Sequence, residues 1–325
     1  MLVPTFTSWG FGDPDTGAFL VSTLITLLGG VLLCICGRDA AKHVGEREGY
    51  FIVATVWIVY SVFGMLPFWL SGAMTTVTDC WFETMSGFTT TGATVIPDVE
   101  TMTHGILLWR AMTHWIGGMG IIVLSVAILP MFGLGGMQLY AAEVTGVSYE
   151  KLSPRIADTA KHMWGMYILL TLAETGILWL LGMDGFDSVC HSMSTIATGG
   201  FSTKNASIIN YSPAIQYTIT LFMFLSGINF TQLIFLFRGK PSRLLHDEET
   251  QWYAGAVALC IIVLGTGLFL HYNFIEPIPN QFIVDADFFA DAERAFRKSA
   301  FTVVSAITTT GFAASDYMTW PKLFW

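Results

Sequence analysis

Apolar residues in this chain gather into long runs separated by short polar stretches, a pattern of whole segments rather than of one helix face. A helix crossing a bilayer needs about 20 consecutive, mostly apolar residues, because each residue rises only about 1.5 Å through hydrocarbon. Six stretches reach that length, at residues 17–37, 50–71, 105–131, 162–182, 213–237 and 252–272, and a seventh begins near Trp320. The first has no basic residues ahead of it and no small-residue cleavage site behind it, so it reads as a spanning helix rather than a signal peptide.

Basic residues orient such a bundle, because Lys and Arg remain on the cytoplasmic side. Residues 38–49 carry Arg38, Lys42 and Arg47, residues 132–161 carry Lys151, Arg155 and Lys161, and residues 238–251 carry Arg238, Lys240 and Arg243. All fall on one side if every span crosses once. The opposite loops are acidic, with Asp79, Glu83, Asp98, Glu100, Asp184, Asp187, Asp285, Asp287, Asp291 and Glu293. The N-terminus is therefore expected outside, and the acidic outer mouth would concentrate cations.

The outer segments 72–104, 183–212 and 273–319 are too apolar for simple loops. Each is expected to dip into the membrane as a short helix, at 78–87, 187–195 and 296–306, and to return as extended backbone. Non-helical backbone at that depth survives only where protein buries it or a wet cavity receives it. The three segments also repeat. Ser86-Gly87-Phe88-Thr89-Thr90-Thr91-Gly92-Ala93 aligns with Met193-Ser194-Thr195-Ile196-Ala197-Thr198-Gly199-Gly200 and with Ser305-Ala306-Ile307-Thr308-Thr309-Thr310-Gly311-Phe312. In this alignment Thr-Gly recurs at 92, 199 and 311, at intervals of 107 and 112 residues.

Composition narrows the chemistry. Hydrophobic residues make up 53% of the 325 and charged residues only 12%, with mean hydropathy +0.59. A soluble domain carries about 25% charged residues, so composition argues against a soluble enzyme and against a disordered chain. A net charge of −9 argues against binding nucleic acid. Cys34, Cys36, Cys80, Cys190 and Cys260 form no CxxC pair and read as packing residues. No Gly-Lys-Ser/Thr follows the glycines, so they are not phosphate loops.

Thr-Gly suits a dehydrated cation. Backbone carbonyls replace a hydration shell without adding formal charge, glycine reaches positive φ without a Cβ penalty, and threonine adds a hydroxyl oxygen. The short helices would also aim their negative C-terminal ends at the ion.

These residues resemble the Trk/Ktr/HKT superfamily of potassium transporters, most closely its bacterial TrkH-type subunit. The resemblance rests on the three segments, on Leu108-Trp109-Arg110, on Trp115-Ile116-Gly117-Gly118-Met119-Gly120 and on Gly135-Gly136-Met137-Gln138-Leu139-Tyr140. Ser153-Pro154-Arg155-Ile156-Ala157-Asp158-Thr159-Ala160-Lys161 and Ala197-Thr198-Gly199-Gly200-Phe201-Ser202-Thr203 extend it over nearly the whole chain. It implies an all-α polytopic membrane protein of the inner membrane. Tandem repeats of membrane helix, re-entrant pore helix and membrane helix would surround a pseudo-fourfold ion path.

On this reading, residues 1–49 hold an outer N-terminal segment, one transmembrane helix and a cytoplasmic loop. Pore repeats follow at 50–150, 151–250 and 251–325, the last incomplete. By resemblance, K⁺ would be coordinated by Thr90, Thr91 and Gly92, by Ala197, Thr198 and Gly199, and by Thr309, Thr310 and Gly311. K⁺ would be the transported substrate, taken up through a channel-like path or one coupled to an ion gradient. The resemblance also implies a homodimer and a cytosolic nucleotide-binding regulatory subunit of the TrkA type. With one glycine per segment and no TVGYG, fewer ion sites and weaker discrimination against Na⁺ are expected. The family has a fourth repeat and two helices before the first, so this chain is expected to be a fragment or a gene shortened at both ends.

Other residues invite a second reading. Glu174 lies within a span, where an ionisable group marks either function or packing. With a histidine it would suit the alternative function, a polytopic membrane enzyme. Arg110 is expected to snorkel outward or to meet Glu174, and Asn229 to bridge helices. Gly117, Gly118 and Gly120 are expected to permit close helix approach. His104, His114, His162, His191 and His271 read as packing or interfacial residues, and Trp109, Trp115, Trp164, Trp179, Trp252 and Trp320 as an interfacial belt.

Overall fold

The computed structural model describes residues 1–38, 46–120, 156–237, 241–271 and 288–320. The Gly135–Tyr140 and Ser153–Arg155 signatures, Asp285, Asp287, most of the basic inner loops and the start of the seventh span lie outside the described residues. Among the described residues the regular structure is helical, and the chain divides into two compact units, Met1–Leu169 and Leu170–Trp325. Thr16–Cys36, Lys161–Leu180 and Glu248–Leu270 are each long and apolar enough to cross a membrane.

The first unit opens with α1 (Leu2–Phe11) and α2 (Thr16–Cys36). Sequence predicts one helix ahead of the first repeat, whereas there are two. The ten residues of α1 are too few to register as a span, and they end at Gly12, whose φ of 74° closes the helix in the left-handed region. The turn that follows anchors one end of the unit. The Asp15 carboxylate accepts the hydroxyls of Ser8 and Thr103, and Asp13 accepts the backbone N–H of His104 at 2.9 Å. His104 also stacks on Phe11 with ring centroids 4.0 Å apart.

The predicted span at 50–71 is divided into α3 (Glu46–Gly64) and α4 (Leu66–Leu70), with Pro67 in the first turn of α4. The short helix α5 (Val77–Phe88) begins at Thr76, whose hydroxyl accepts from Asp79 N, and α6 (His104–Gly118) follows. Helix α5 packs against α3 and α6, and α1 against α2 and α6, around Phe19, Phe68, Cys80 and Ile106.

Beyond α7 (Ile156–Leu180), the second unit contains α8 (Gly185–Ile196), capped by the Asp184 carboxylate on Phe186 N. Helices α9 (Pro213–Ser226) and α10 (Phe230–Phe237) replace the single span predicted at 213–237. The break is at Gly227, where a Cβ would meet the Tyr253 hydroxyl at 2.4 Å and Thr308 Cγ2 at 2.9 Å. The Tyr253 hydroxyl donates to Phe224 O at 3.1 Å, diverting a carbonyl at the helix end. Asn229 stands at this break, where its carbonyl accepts from Gln232 N and Leu233 N.

Helices α11 (Pro241–Leu245), α12 (Glu248–Leu270) and α13 (Phe288–Ile307) complete the unit. Helix α13 is longer than the predicted 296–306 because the helical pattern continues N-terminally through charged residues that hydropathy alone passes over. Leu178, Ile208, Ile219, Met223 and Phe301 form the fully buried centre of the core.

Candidate functional site

Helices α5, α8 and α13 each end in the same backbone device. The N–H groups of Thr91, Gly199 and Thr310 donate to the carbonyls of Ser86, Ser194 and Ser305, five residues back, each at 2.9 Å. The residue before each donor lies in the left-handed region: Thr90 at φ 53°, Thr198 at 52° and Thr309 at 58°. This helix ending ordinarily uses glycine. A β-branched residue at positive φ is strained by roughly 1–2 kcal/mol. The same strained residue type at three equivalent corners marks a functional backbone rather than an ordinary turn.

Two residues after each corner stands a glycine of positive φ: Gly92 at 73°, Gly200 at 78° and Gly311 at 81°. The residues between, Thr91, Gly199 and Thr310, do not share that sign, so φ alternates along each segment. Alternation of this kind turns successive carbonyls toward one side, where a regular strand would send them alternately to both.

The structure moves the second segment by one residue relative to the sequence alignment. Thr198 is equivalent to Thr90 and Thr309, Gly199 to Thr91 and Thr310, and Gly200 to Gly92 and Gly311. Ala197 corresponds instead to Thr89 and Thr308, just before the corner, and Gly200 was missed as the positive-φ glycine. The Thr-Gly dipeptide misleads because the second segment has two consecutive glycines and the first takes the place of a threonine. Aligning Ser194, rather than Met193, with Ser86 and Ser305 recovers the register from sequence alone.

Equivalent serines pin the extended backbone to the helices. Ser86 Oγ donates to Ala93 O at 2.6 Å and Ser305 Oγ to Phe312 O at 2.8 Å, while Ser194 occupies the same place in the second segment. In the first and third segments a threonine pair lies inside the turn. Thr89 and Thr308 hydroxyls donate to Met85 O and Val304 O, so Thr91 and Thr310 donate to them, at 2.8 Å in both segments. Ala197 and Gly199 leave the second segment without that pair.

Within the second unit, two segments touch through backbone. A Cβ on Gly200 would lie 2.0 Å from Thr310 O, so glycine is required there by contact as well as by φ. Ile208 N donates to Ala313 O at 3.0 Å, and Ala313 N to Ser207 Oγ at 3.2 Å. In the first unit, Gly117 of α6 meets the end of α5, where a Cβ would lie 1.9 Å from Phe88 O. Gly117 thus permits the close approach expected of it.

Behind the first and second segments the short helix offers a bracing side chain three residues before the shared serine. In the first it is Glu83, fully buried, whose Oε1 accepts from Arg110 Nε at 2.8 Å and Thr94 Oγ1 at 2.9 Å and whose Oε2 accepts from Val95 N at 3.0 Å. Arg110 is only 2% exposed and pairs with Glu83, so it does not snorkel outward. A partner on α5 holds it inside. In the second segment the residue is His191, also fully buried, with Nδ1 against Asp187 O at 2.8 Å and Nε2 against Ser202 Oγ at 3.0 Å. Asp187 in turn accepts Thr203 Oγ1 at 2.7 Å and the Tyr211 hydroxyl at 2.9 Å. These braces were not singled out from sequence, although counting back from the aligned serines would have found them.

Glu174 is fully buried and, among the described residues, neither carboxylate oxygen has a hydrogen-bond partner; the Thr195 hydroxyl beside it already donates to His191 O. The acid–histidine pair that a membrane enzyme would use is not formed with His191, whose two nitrogens are engaged elsewhere. The proposed tryptophan belt divides. Trp179 and Trp252 are exposed, whereas Trp109 is buried and donates to Gly64 O at 2.9 Å, and Trp320 is buried in the second unit.

Known proteins share much of this sequence and its fold. The family profile described as TrkH, cation transport protein, matches residues 18–324. The Trk system potassium uptake protein TrkH of Escherichia coli strain K12 is 38% identical over 99% of this chain, and TrkG of the same organism is 32% identical. The crystal structure of the potassium transporter TrkH from Vibrio parahaemolyticus superposes with a TM-score of 0.82 at 34% identity over 99% of the chain. The chain spans 64% of the length of each of these three proteins. With a profile match along nearly its full length, the chain belongs to the TrkH family of cation transport proteins.

Proposed function

We propose that this protein takes up K⁺ across the bacterial inner membrane. Its coordinating oxygens would be the backbone carbonyls of Thr90, Thr91 and Gly92, of Thr198, Gly199 and Gly200, and of Thr309, Thr310 and Gly311. Residues 50–150, 151–250 and 251–325 are its successive pore repeats, and the basic inner loops face the cytoplasm. The observation that carries the reading is the triple recurrence of a threonine at positive φ with a positive-φ glycine two residues on. Neutral oxygen donors suit a monovalent cation that must leave as readily as it enters. The names of the relatives, potassium uptake proteins of Trk systems, point to the same ion. A homodimer and a cytosolic nucleotide-binding regulatory subunit belong to the same proposal.

The test is rubidium uptake with sodium competition in cells deficient in potassium uptake, comparing Gly200→Ser with Gly199→Ser. A Cβ at Gly200 meets Thr310 O at 2.0 Å and is strained by φ, whereas Gly199 has negative φ and stands where the other segments carry threonine. Gly200→Ser should abolish uptake or its preference over sodium, and Gly199→Ser should be the milder change. Wild-type uptake and selectivity in Gly200→Ser would overturn the assignment.

A further inference from the structure

The buried pair formed by Glu83 and Arg110 lies outside the carbonyls assigned to the ion, yet it grips the backbone that carries them. Its carboxylate receives three donors, two of them from consecutive residues of the re-entrant strand, Thr94 and Val95. Arg110 Nη2 also reaches Thr94 Oγ1 at 3.3 Å. Together with Ser86 Oγ on Ala93 O, the strand is fixed at three successive residues immediately after Gly92. The corner at Thr90 fixes the other end. The carbonyls between have no freedom to shift unless one of these anchors yields.

Burying an ion pair is not an economical route to stability, because well-packed apolar residues of similar volume serve as well or better. What a carboxylate provides here is a strong acceptor with two oxygens at a set spacing, aimed at one hydroxyl and one N–H of the strand. The guanidinium cancels its charge, so a passing cation meets carbonyl dipoles rather than a fixed anion.

We propose that Glu83 and Arg110 are positioning residues that hold the Thr94–Val95 strand and thereby set the ion preference of the first segment. The selectivity part of this proposal rests on the uptake function above. Two readouts separate them in the intact gene product. Hydrogen–deuterium exchange in detergent follows the peptide at 89–98 against that at 197–205, and rubidium uptake with sodium competition is measured at matched membrane abundance. In Glu83→Gln, exchange at 89–98 should accelerate about tenfold and rubidium preference over sodium should fall about tenfold, the scale of one charged hydrogen bond. Exchange at 197–205 should not change.

Thr94→Val removes one hydroxyl and no charge, so it tests the same anchor should Glu83→Gln fail to accumulate, with an expected loss of preference of about threefold. Unchanged exchange at 89–98 in both variants overturns the positioning role. Accelerated exchange with wild-type sodium competition overturns the link to selectivity. Absence of rubidium uptake by the wild-type protein removes the transport reading and the selectivity claim, and exchange alone then decides whether the pair holds the strand.

Discussion

The first and second re-entrant segments solve one mechanical problem with different chemistry. Both must hold an extended strand against the back of a short helix, and both use the residue three before the shared serine. In the first that residue is Glu83, an anion whose charge is balanced by Arg110 of α6. In the second it is His191, held by Asp187 O and Ser202 Oγ, with Asp187 tying down Thr203 and Tyr211. The first brace concentrates its strength in one charge pair and depends on both partners. The second spreads it over several hydrogen bonds, and removal of one leaves the others. The third segment uses neither: its equivalent position is Thr302, and its strand is gripped at Ala313 by Ser207 and Ile208.

The sharpest way to break this comparison is to remove each brace in turn. Glu83→Ala leaves the Arg110 guanidinium buried without its carboxylate, a change that costs about 3–5 kcal/mol. His191→Ala removes two hydrogen bonds and a buried ring packed on Tyr211 and Phe312 but strands no charge, and should cost about 1–3 kcal/mol. Thermal unfolding in detergent should therefore place Glu83→Ala clearly below His191→Ala; equal midpoints would mean that the ionic brace is no more concentrated than the neutral one.

Gly117→Ala should act next most strongly, because its Cβ would lie 1.9 Å from a backbone oxygen that cannot turn aside. Forcing α6 away from Phe88 should cost about 1–3 kcal/mol. Gly165→Ala on α7 meets nothing within 4 Å and should be silent or slightly stabilising in the same unfolding assay. Smallest of all, Ser86→Ala and Ser305→Ala each remove one hydroxyl bond to a carbonyl, about 1 kcal/mol apiece. Equal effects at the two sites would place the serine anchor outside the difference between the segments.

Much of this architecture was legible in the chain. Hydropathy found 17–37, 162–182 and 252–272, which return as helices long enough to cross a membrane, and the recurring Thr-Gly found the three corners. Breaks were harder to see. The division of 213–237 at Gly227 depends on Tyr253 and Thr308, distant in sequence, and no local pattern announces them. The one-residue slip in the second segment came from trusting a dipeptide over the serine that precedes it. The brace at Glu83 was read as an outer-loop acid because charge invites a solvent address, and only the burial of Arg110 reveals the pairing. Side-chain partners that arise from packing leave little periodic trace, whereas elements that arise from hydrophobic length leave a clear one.

A threonine that curls the wrong way for its own side chain behaves as a wound spring. Thr90, Thr198 and Thr309 persist in that state only while the helix behind and the ribbon ahead are both clamped. Loosening either clamp lets the bend relax without further cause, so the carbonyl array is disarmed by damage well away from the oxygens themselves. If the proposed uptake function holds, variants that spoil ion choice are accordingly expected to cluster among the clamps as well as along the carbonyl segments.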